Sequence, residues 1–160
     1  MEENQRLNIK QVNQNDKNEI EILLTIWESS VTATHNFLSK DNIEALIPAV
    51  KEGLLTIESL YGCYEQEIVG FIGVENEKVE MLFVAAETRG QGIGRKLFQY
   101  AIDMLNVNYV DVNEQNEQGL GFYQRMGFHV FGRSELDDQG NAFPILHLKK
   151  SKTKECSNES

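Results

Sequence analysis

A chain of 160 residues is long enough for one hydrophobic core and too short for two comfortable ones, so a single domain is expected. Its 41% hydrophobic content, with only the prolines Pro48 and Pro144, is globular composition and excludes a disordered or repetitive chain. A formal charge of −10 argues against nucleic acid, whose phosphates need a basic surface, and mildly favours a cationic substrate, although much of the acidity serves solubility.

The amino-terminal segment Met1-Glu2-Glu3-Asn4-Gln5-Arg6 lacks the apolar core of a signal peptide. Nowhere do about 18 apolar residues run together, so a cytoplasmic protein with no membrane span is expected. Residues 7–12 alternate weakly and predict a first strand. Asp16 with Glu19 predicts a capping box, and Ile20, Leu23, Leu24, Trp27 and Val31 follow at helical spacing. Asp41 with Glu44 predicts the start of a second helix, carrying Ile43, Leu46, Ile47, Val50 and Leu54. Three apolar segments, 59–65, 68–75 and 78–85, are broken by Gln66-Glu67 and Asn76-Glu77 and predict an antiparallel meander. A helix over 92–106, a strand over 107–113, a short helix over 116–126 and a final strand pair, 128–136 and 141–148, complete the pattern. The final pair turns at Asp137-Asp138-Gln139-Gly140, and residues 150–160 predict a disordered tail. Cys63 and Cys156 suggest neither a disulfide framework nor metal-ligand spacing.

The stretch Arg89-Gly90-Gln91-Gly92-Ile93-Gly94 lies between an apolar strand and a helix. Glycines there permit positive φ, and the partial positive charge at the helix start suits phosphate. A dinucleotide fingerprint fails, because the sixth position from Gly90 is Arg95 and from Gly92 is Leu97. A P-loop fails too, since Arg95, Lys96 and Leu97 stand where Gly-Lys-Ser/Thr is needed. Arg89, Arg95 and Lys96 cluster at this loop in an otherwise acidic chain, which fits an anionic cofactor meeting an amine.

What remains, Arg-x-x-Gly-x-Gly, resembles the pyrophosphate loop of the GCN5-related N-acetyltransferase (GNAT) family. Downstream, Asn116, Gly119, Phe122, Tyr123, Gly127 and Phe128 resemble the other half of that family's coenzyme A site. Similarity to the YjaB-type branch extends over roughly residues 7–149. The resemblance implies an α/β (α+β) fold over residues 5–149: a mixed, mostly antiparallel seven-stranded sheet, about four helices, and a splayed central pair of parallel strands. It also implies acetyl-CoA as acyl donor, with no metal, and contacts from Leu82, Phe83, Val84, Arg89, Gly90, Gln91, Gly92, Ile93, Gly94, Arg95, Asn116, Phe122 and Tyr123. Ala86 stands where a proline is usual, and Gly119 where an alanine is usual.

Acyl transfer to an amine requires a base, an oxyanion donor and an acid. A lysine-like ammonium with pKa about 10.4 is roughly 0.04% neutral at pH 7, a penalty of about 4.6 kcal/mol without a base or desolvation. Glu80, on the strand sharing a face with Leu82 and Val84, is the candidate base, against the alternative of a solvated carboxylate. The Val84 amide is the implied oxyanion donor, and Tyr123 the implied acid for the leaving thiolate. Trp27, His35 and Asn113 are candidate acceptor-side residues, His35 because imidazole ordinarily titrates near 6.5. Core packing, capping and turn formation are their respective alternatives. His129 and His147 show no partner pattern in the sequence.

The expected activity is therefore acetylation of a primary amine, peptidyl lysine or a small molecule, by direct attack on the thioester. A non-catalytic acyl-CoA-binding domain is the alternative. No nucleic acid or membrane partner is expected, and a homodimer stays open.

Overall fold

The computed structural model describes residues 7–34, 39–88, 90–137, 140 and 142–151. His35, Arg89, Cys156 and most of the expected tail lie outside the described residues, as do Asp138 and Gln139 of the final turn. The chain groups into two compact units, one up to Val107 and one from Asn108 onward. Seven strands and four α-helices occur among the described residues.

The first unit holds β1 (Asn8–Gln11), α1 (Lys17–Thr34), α2 (Lys40–Thr56), β2 (Ser59–Glu65), β3 (Glu67–Glu75), β4 (Lys78–Val84) and α3 (Ile93–Met104). Its four strands pair antiparallel in chain order, the last three as the spacing of the apolar runs predicts. The turns follow from local chemistry. Gln66 alone adopts positive φ between β2 and β3, and Asn76 and Glu77 both do so between β3 and β4, the pattern of a two-residue primed turn.

The core lies where α1 and α2 cover this meander. Ile20, Leu23, Trp27 and Val31 form the buried stripe of α1, joined by Ile26, and meet Ile43 and Leu54 of α2 and Leu60, Ile68 and Phe71 of the sheet. Trp27 is thus a core residue, only 4% exposed. Ile93, Leu97, Phe98 and Ala101 give α3 its buried face. Cys63 is a fully buried free thiol whose pKa is raised, above all by burial.

Two caps differ from the expected ones. Asp16 Oδ1 does accept from the N–H groups of Asn18 and Glu19, at 2.9 and 3.3 Å, but Glu19 reaches back to the Asn13 N–H at 3.0 Å. α2 is capped not by Asp41 and Glu44 but by a reciprocal box of Ser39 and Asn42, with bonds of 3.1 and 3.2 Å. A hydroxyl two residues earlier captures the first free N–H groups, so the helix begins before the carboxylate can cap it.

The second unit holds β5 (Tyr109–Asn113), α4 (Glu117–Arg125), β6 (Phe128–Ser134) and β7 (Ile145–Lys150). Its three strands are antiparallel, with β7 between β5 and β6. β7 begins four residues later than the sequence predicts, directly after Pro144, which has no N–H for a strand ladder. Val110, Val112, Phe128 and Leu148 are buried in this unit.

Candidate active site

The glycine turn has the conformation its sequence requires. Gly90 and Gly92 have φ of +85° and +80°, in the left-handed region that other residues avoid. A Cβ at either position would meet nothing within 4 Å, so the demand comes from the backbone and not from crowding. Gly92 is the N-cap of α3 and supplies no side-chain cap bond. The first turn of α3 contains no acidic residue and does contain Arg95 and Lys96. Cations there oppose the helix dipole, an arrangement that becomes favourable once an anion binds.

Beside this turn is a cavity of about 660 Å³, lined by residues of β1 and α3 and by the loop itself. Arg95, Lys96, Gln99 and Tyr100 line it from α3, Gln91 and Gly92 from the loop, and Leu7, Asn8 and Ile9 from the β1 side. The sequence marks Gln91, Gly92 and Arg95 as cofactor contacts; it does not single out Asn8, Gln99 or Tyr100. The signal for Gln99 and Tyr100 is spacing on α3, since they fall one turn beyond Arg95 and Lys96 on the same side of the helix. The Tyr100 ring lies 5.3 Å from that of Tyr61.

On β4, Leu82, Phe83 and Val84 pair with Ile72, Phe71 and Gly70 and are each half-buried. The Ala85 N–H donates to the Val69 carbonyl at 2.9 Å. Alternation along an antiparallel strand therefore turns the Val84 N–H away from β3, toward the strand's other edge. Val84 also faces α3, because a Cβ on Gly94 would lie 3.6 Å from its Cγ2. Phe83 points to the opposite side and packs on the core. Glu80 falls at a bulge, because Val79 and Met81 pair with the adjacent residues Val74 and Gly73, so the alternation expected to put it on the face of Leu82 and Val84 is interrupted there; its side chain is 38% exposed and its Oε2 lies 3.7 Å from Lys78 Nζ. It is a solvated carboxylate with a cation beside it.

In the second unit, Asn116 is the N-cap of α4, its Oδ1 accepting the Gly119 N–H at 2.9 Å. A Cβ on residue 119 would fall 2.5 Å from Asn116 Nδ2, which gives glycine a local reason to stand there. Tyr123 lies two helical turns from Asn116, on the same face. Its ring meets that of Phe122 edge-on at 5.3 Å. Burial raises the phenol's pKa well above its ordinary value, so it remains a proton donor at neutral pH. Asn113 uses its Oδ1 to accept the Gln115 N–H at 2.8 Å, the turn-forming role that was its alternative.

The histidines do have partners. His129 Nδ1 lies 2.9 Å from Ser151 Oγ. His147 contacts Asp111 and Ser134 through its two ring nitrogens, 2.7 Å in each case. These contacts join residues 13 and 36 positions apart in the chain and depend on strand pairing that no local motif announces.

The family model for the acetyltransferase (GNAT) domain matches residues 14–146. The peptidyl-lysine N-acetyltransferase YjaB of Salmonella typhimurium is 42% identical over 129 residues, covering 80% of this chain and 89% of that protein. Its Escherichia coli K12 counterpart is 40% identical over 129 residues, covering 80% and 88%. The solution structure of apo YjaB from Escherichia coli superposes with a TM-score of 0.81 at 36% identity, over 92% of this chain and 99% of that one. The same fold recurs in the Thermoplasma acidophilum PaiA N-acetyltransferase in complex with coenzyme A, at TM-score 0.65 and 22% identity, over 91% and 99% of the two chains.

Proposed function

The chain belongs to the GNAT family of acetyltransferases, and from that premise we propose that it is a cytoplasmic, acetyl-CoA-dependent enzyme that acetylates a primary amine, foremost the side chain of a peptidyl lysine. Acetyl-CoA would supply the activated acyl group. The observation that carries the reading is the left-handed Gly90-x-Gly92 turn, opening a helix with no side-chain cap beside a cavity lined by Arg95 and Lys96. Main-chain N–H groups and two cations fit a diphosphate there. The acceptor class follows the names of the YjaB relatives and accords with the acidity of the chain.

Each residue then has a task. Gly92, Ile93, Gly94 and Arg95 hold the diphosphate, with Arg89 and Gln91 flanking it. Leu82, Phe83 and Val84 provide the strand along which the pantetheine arm lies, and the outward-turned Val84 N–H stabilises charge on the thioester oxygen. Asn116 and Phe122 order the start of α4 and the ring beside Tyr123, which protonates the departing thiolate. Glu80 attracts the acceptor's ammonium, with His35 contributing to the acceptor side.

Tyr123→Phe is the test. It should cut turnover by about 10²-fold or more while leaving coenzyme A affinity nearly intact. Equal turnover removes the acid assignment. Acetyl-CoA binding without thiol release by the wild-type protein, across a panel of amines and pH values, would instead establish a binding domain.

A further inference from the structure

Asp111 on β5, His147 on β7 and Ser134 on β6 form one hydrogen-bonded chain across the three-stranded sheet of the second unit. His147 Nδ1 lies 2.7 Å from Asp111 Oδ1, and His147 Nε2 lies 2.7 Å from Ser134 Oγ. Strand pairing builds it. His147 is directly opposite Asp111 on one side and Gly132 on the other, and a register shift between Val130 and Gly132 brings Ser134 within reach.

The direction of the chain follows from its ends. A carboxylate facing Nδ1 selects the neutral ring that carries its proton there, which leaves Nε2 to accept from the Ser134 hydroxyl. The lone pairs of Oγ are then available to a further donor. His147 and Asp111 side chains are 30% and 25% exposed, so a solvent-borne ligand can approach. Other titratable groups on these strands are Tyr109 on β5, Lys149 on β7, whose Nζ stands 5.4 Å over the Phe131 ring, and Arg133 on β6. Arg133 is engaged by Glu114 at 2.9 Å and Glu135 at 3.0 Å.

We propose that this chain is the proton acceptor for the amine substrate: Ser134 Oγ takes a proton from the amine nitrogen as it passes its own to His147 Nε2, and Asp111 stabilises the resulting imidazolium. The proposal rests on the N-acetyltransferase reading. A protonated nitrogen has no lone pair, so this proton leaves before the nitrogen–carbon bond forms. Its N–H bond breaks, an O–H bond on Ser134 is replaced, and an N–H bond forms on His147, so no other reactant is needed. The half-exposed ring then returns the proton to solvent. An imidazole oriented by a carboxylate suits this better than Glu80, whose carboxylate stands beside the Lys78 cation. The implied substrate is an amine that is cationic at neutral pH.

The experiment compares wild type, His147→Gln, Asp111→Asn and Ser134→Ala, each with a lysine peptide and with p-anisidine, an aromatic amine already neutral at pH 7. Coenzyme A affinity and thermal melts are measured alongside. His147→Gln should lower kcat on the peptide by about 10²-fold or more and erase the acidic limb of the kcat/KM profile, with coenzyme A affinity kept. The defect should shrink with p-anisidine. Asp111→Asn should resemble it by favouring the wrong tautomer, and Ser134→Ala carries the test should His147→Gln not fold. Wild-type kcat and pH profile in the variants, while the wild type transfers acetyl, would overturn the relay and leave the acetyltransferase standing. Wild type that acetylates no amine would bring down that reading and the relay with it. Acetyl found on Ser134 by intact mass would also overturn the relay, in favour of a covalent step.

Discussion

The backbone N–H of Ala86 donates to the Ser29 hydroxyl at 2.9 Å. This bond ties α1 to the turn that leads from β4 into the glycine loop. Thr88 closes the same turn, both its N–H and its hydroxyl reaching the Ala85 carbonyl at 3.0 Å. A proline at 86, the residue usual in the family, would have no N–H to give. The alanine that stands there is held by a hydrogen bond instead. Ser29→Ala leaves that N–H without its acceptor and should cost about 1–3 kcal/mol, read as a lower Tm, with weaker coenzyme A binding as the loop loses its anchor. An unchanged Tm would mean that the turn is fixed by other contacts.

Reversing the charge at Arg95 should move two measurements in opposite directions. The residue stands in the first turn of α3, where a cation opposes the helix dipole. Arg95→Glu should therefore stabilise the unliganded protein by about 0.3–1 kcal/mol, and weaken coenzyme A binding by about tenfold or more. Calorimetric titration and thermal melts of the same sample decide it; an unchanged dissociation constant would count against the loop as the diphosphate site.

Gly119→Ala sets helix propensity against capping. Alanine gains about 1 kcal/mol over glycine inside a helix. The new Cβ, however, would lie 2.5 Å from Asn116 Nδ2, so the carboxamide must swing away and give up its 2.9 Å cap bond. Loss of such a cap costs about 1 kcal/mol. Stability should barely change while the Gly119 position loses amide-exchange protection; a clear rise in Tm would show that the cap contributes little.

Tyr64 gives a stability signature at high pH. Burial first, then the Glu19 carboxylate 3.4 Å from its hydroxyl, push the phenol from 10.0 up to about 12. A folded pKa above the unfolded one contributes stability that is complete below the unfolded pKa and fades as pH rises through the folded value. Between pH 10 and about 12 the wild type should lose stability relative to Tyr64→Phe, which cannot ionise. Denaturant melts of both proteins at pH 9 and 11.5 test this, and parallel curves would sink it.

The first unit was largely legible because its signals are local. The stripe of α1, the three meander strands and the glycine turn depend on residue type and short spacing, and each lies where the sequence predicts. The caps were misread because Asp41 and Glu44 satisfy the same pattern as Ser39 and Asn42, and only the entering backbone decides between them. Tyr123 was readable through the family motif, and its shielding was not. The Asp111–His147–Ser134 chain was unreadable for a geometric reason. Alternation of Tyr109, Asp111 and Asn113 with Val110 and Val112 does mark a polar face on β5. The shift near Phe131 changes the parity of β6, and the late start of β7 moves its partners, so counting along the chain puts Ser134 and His147 in the wrong relation.

β3 is shielded from Ile68 through Val74, with only its end residues exposed. A strand that is apolar on both sides carries no inside-outside alternation to say which residue belongs opposite which. That information has to reside at its ends, in the single left-handed residue Gln66 and the pair Asn76-Glu77. These exposed polar side chains act as the alignment marks of the meander. A slip there would carry Phe83 and Val84 to each other's side of the sheet, exchanging the core for the edge along which the cofactor is to lie.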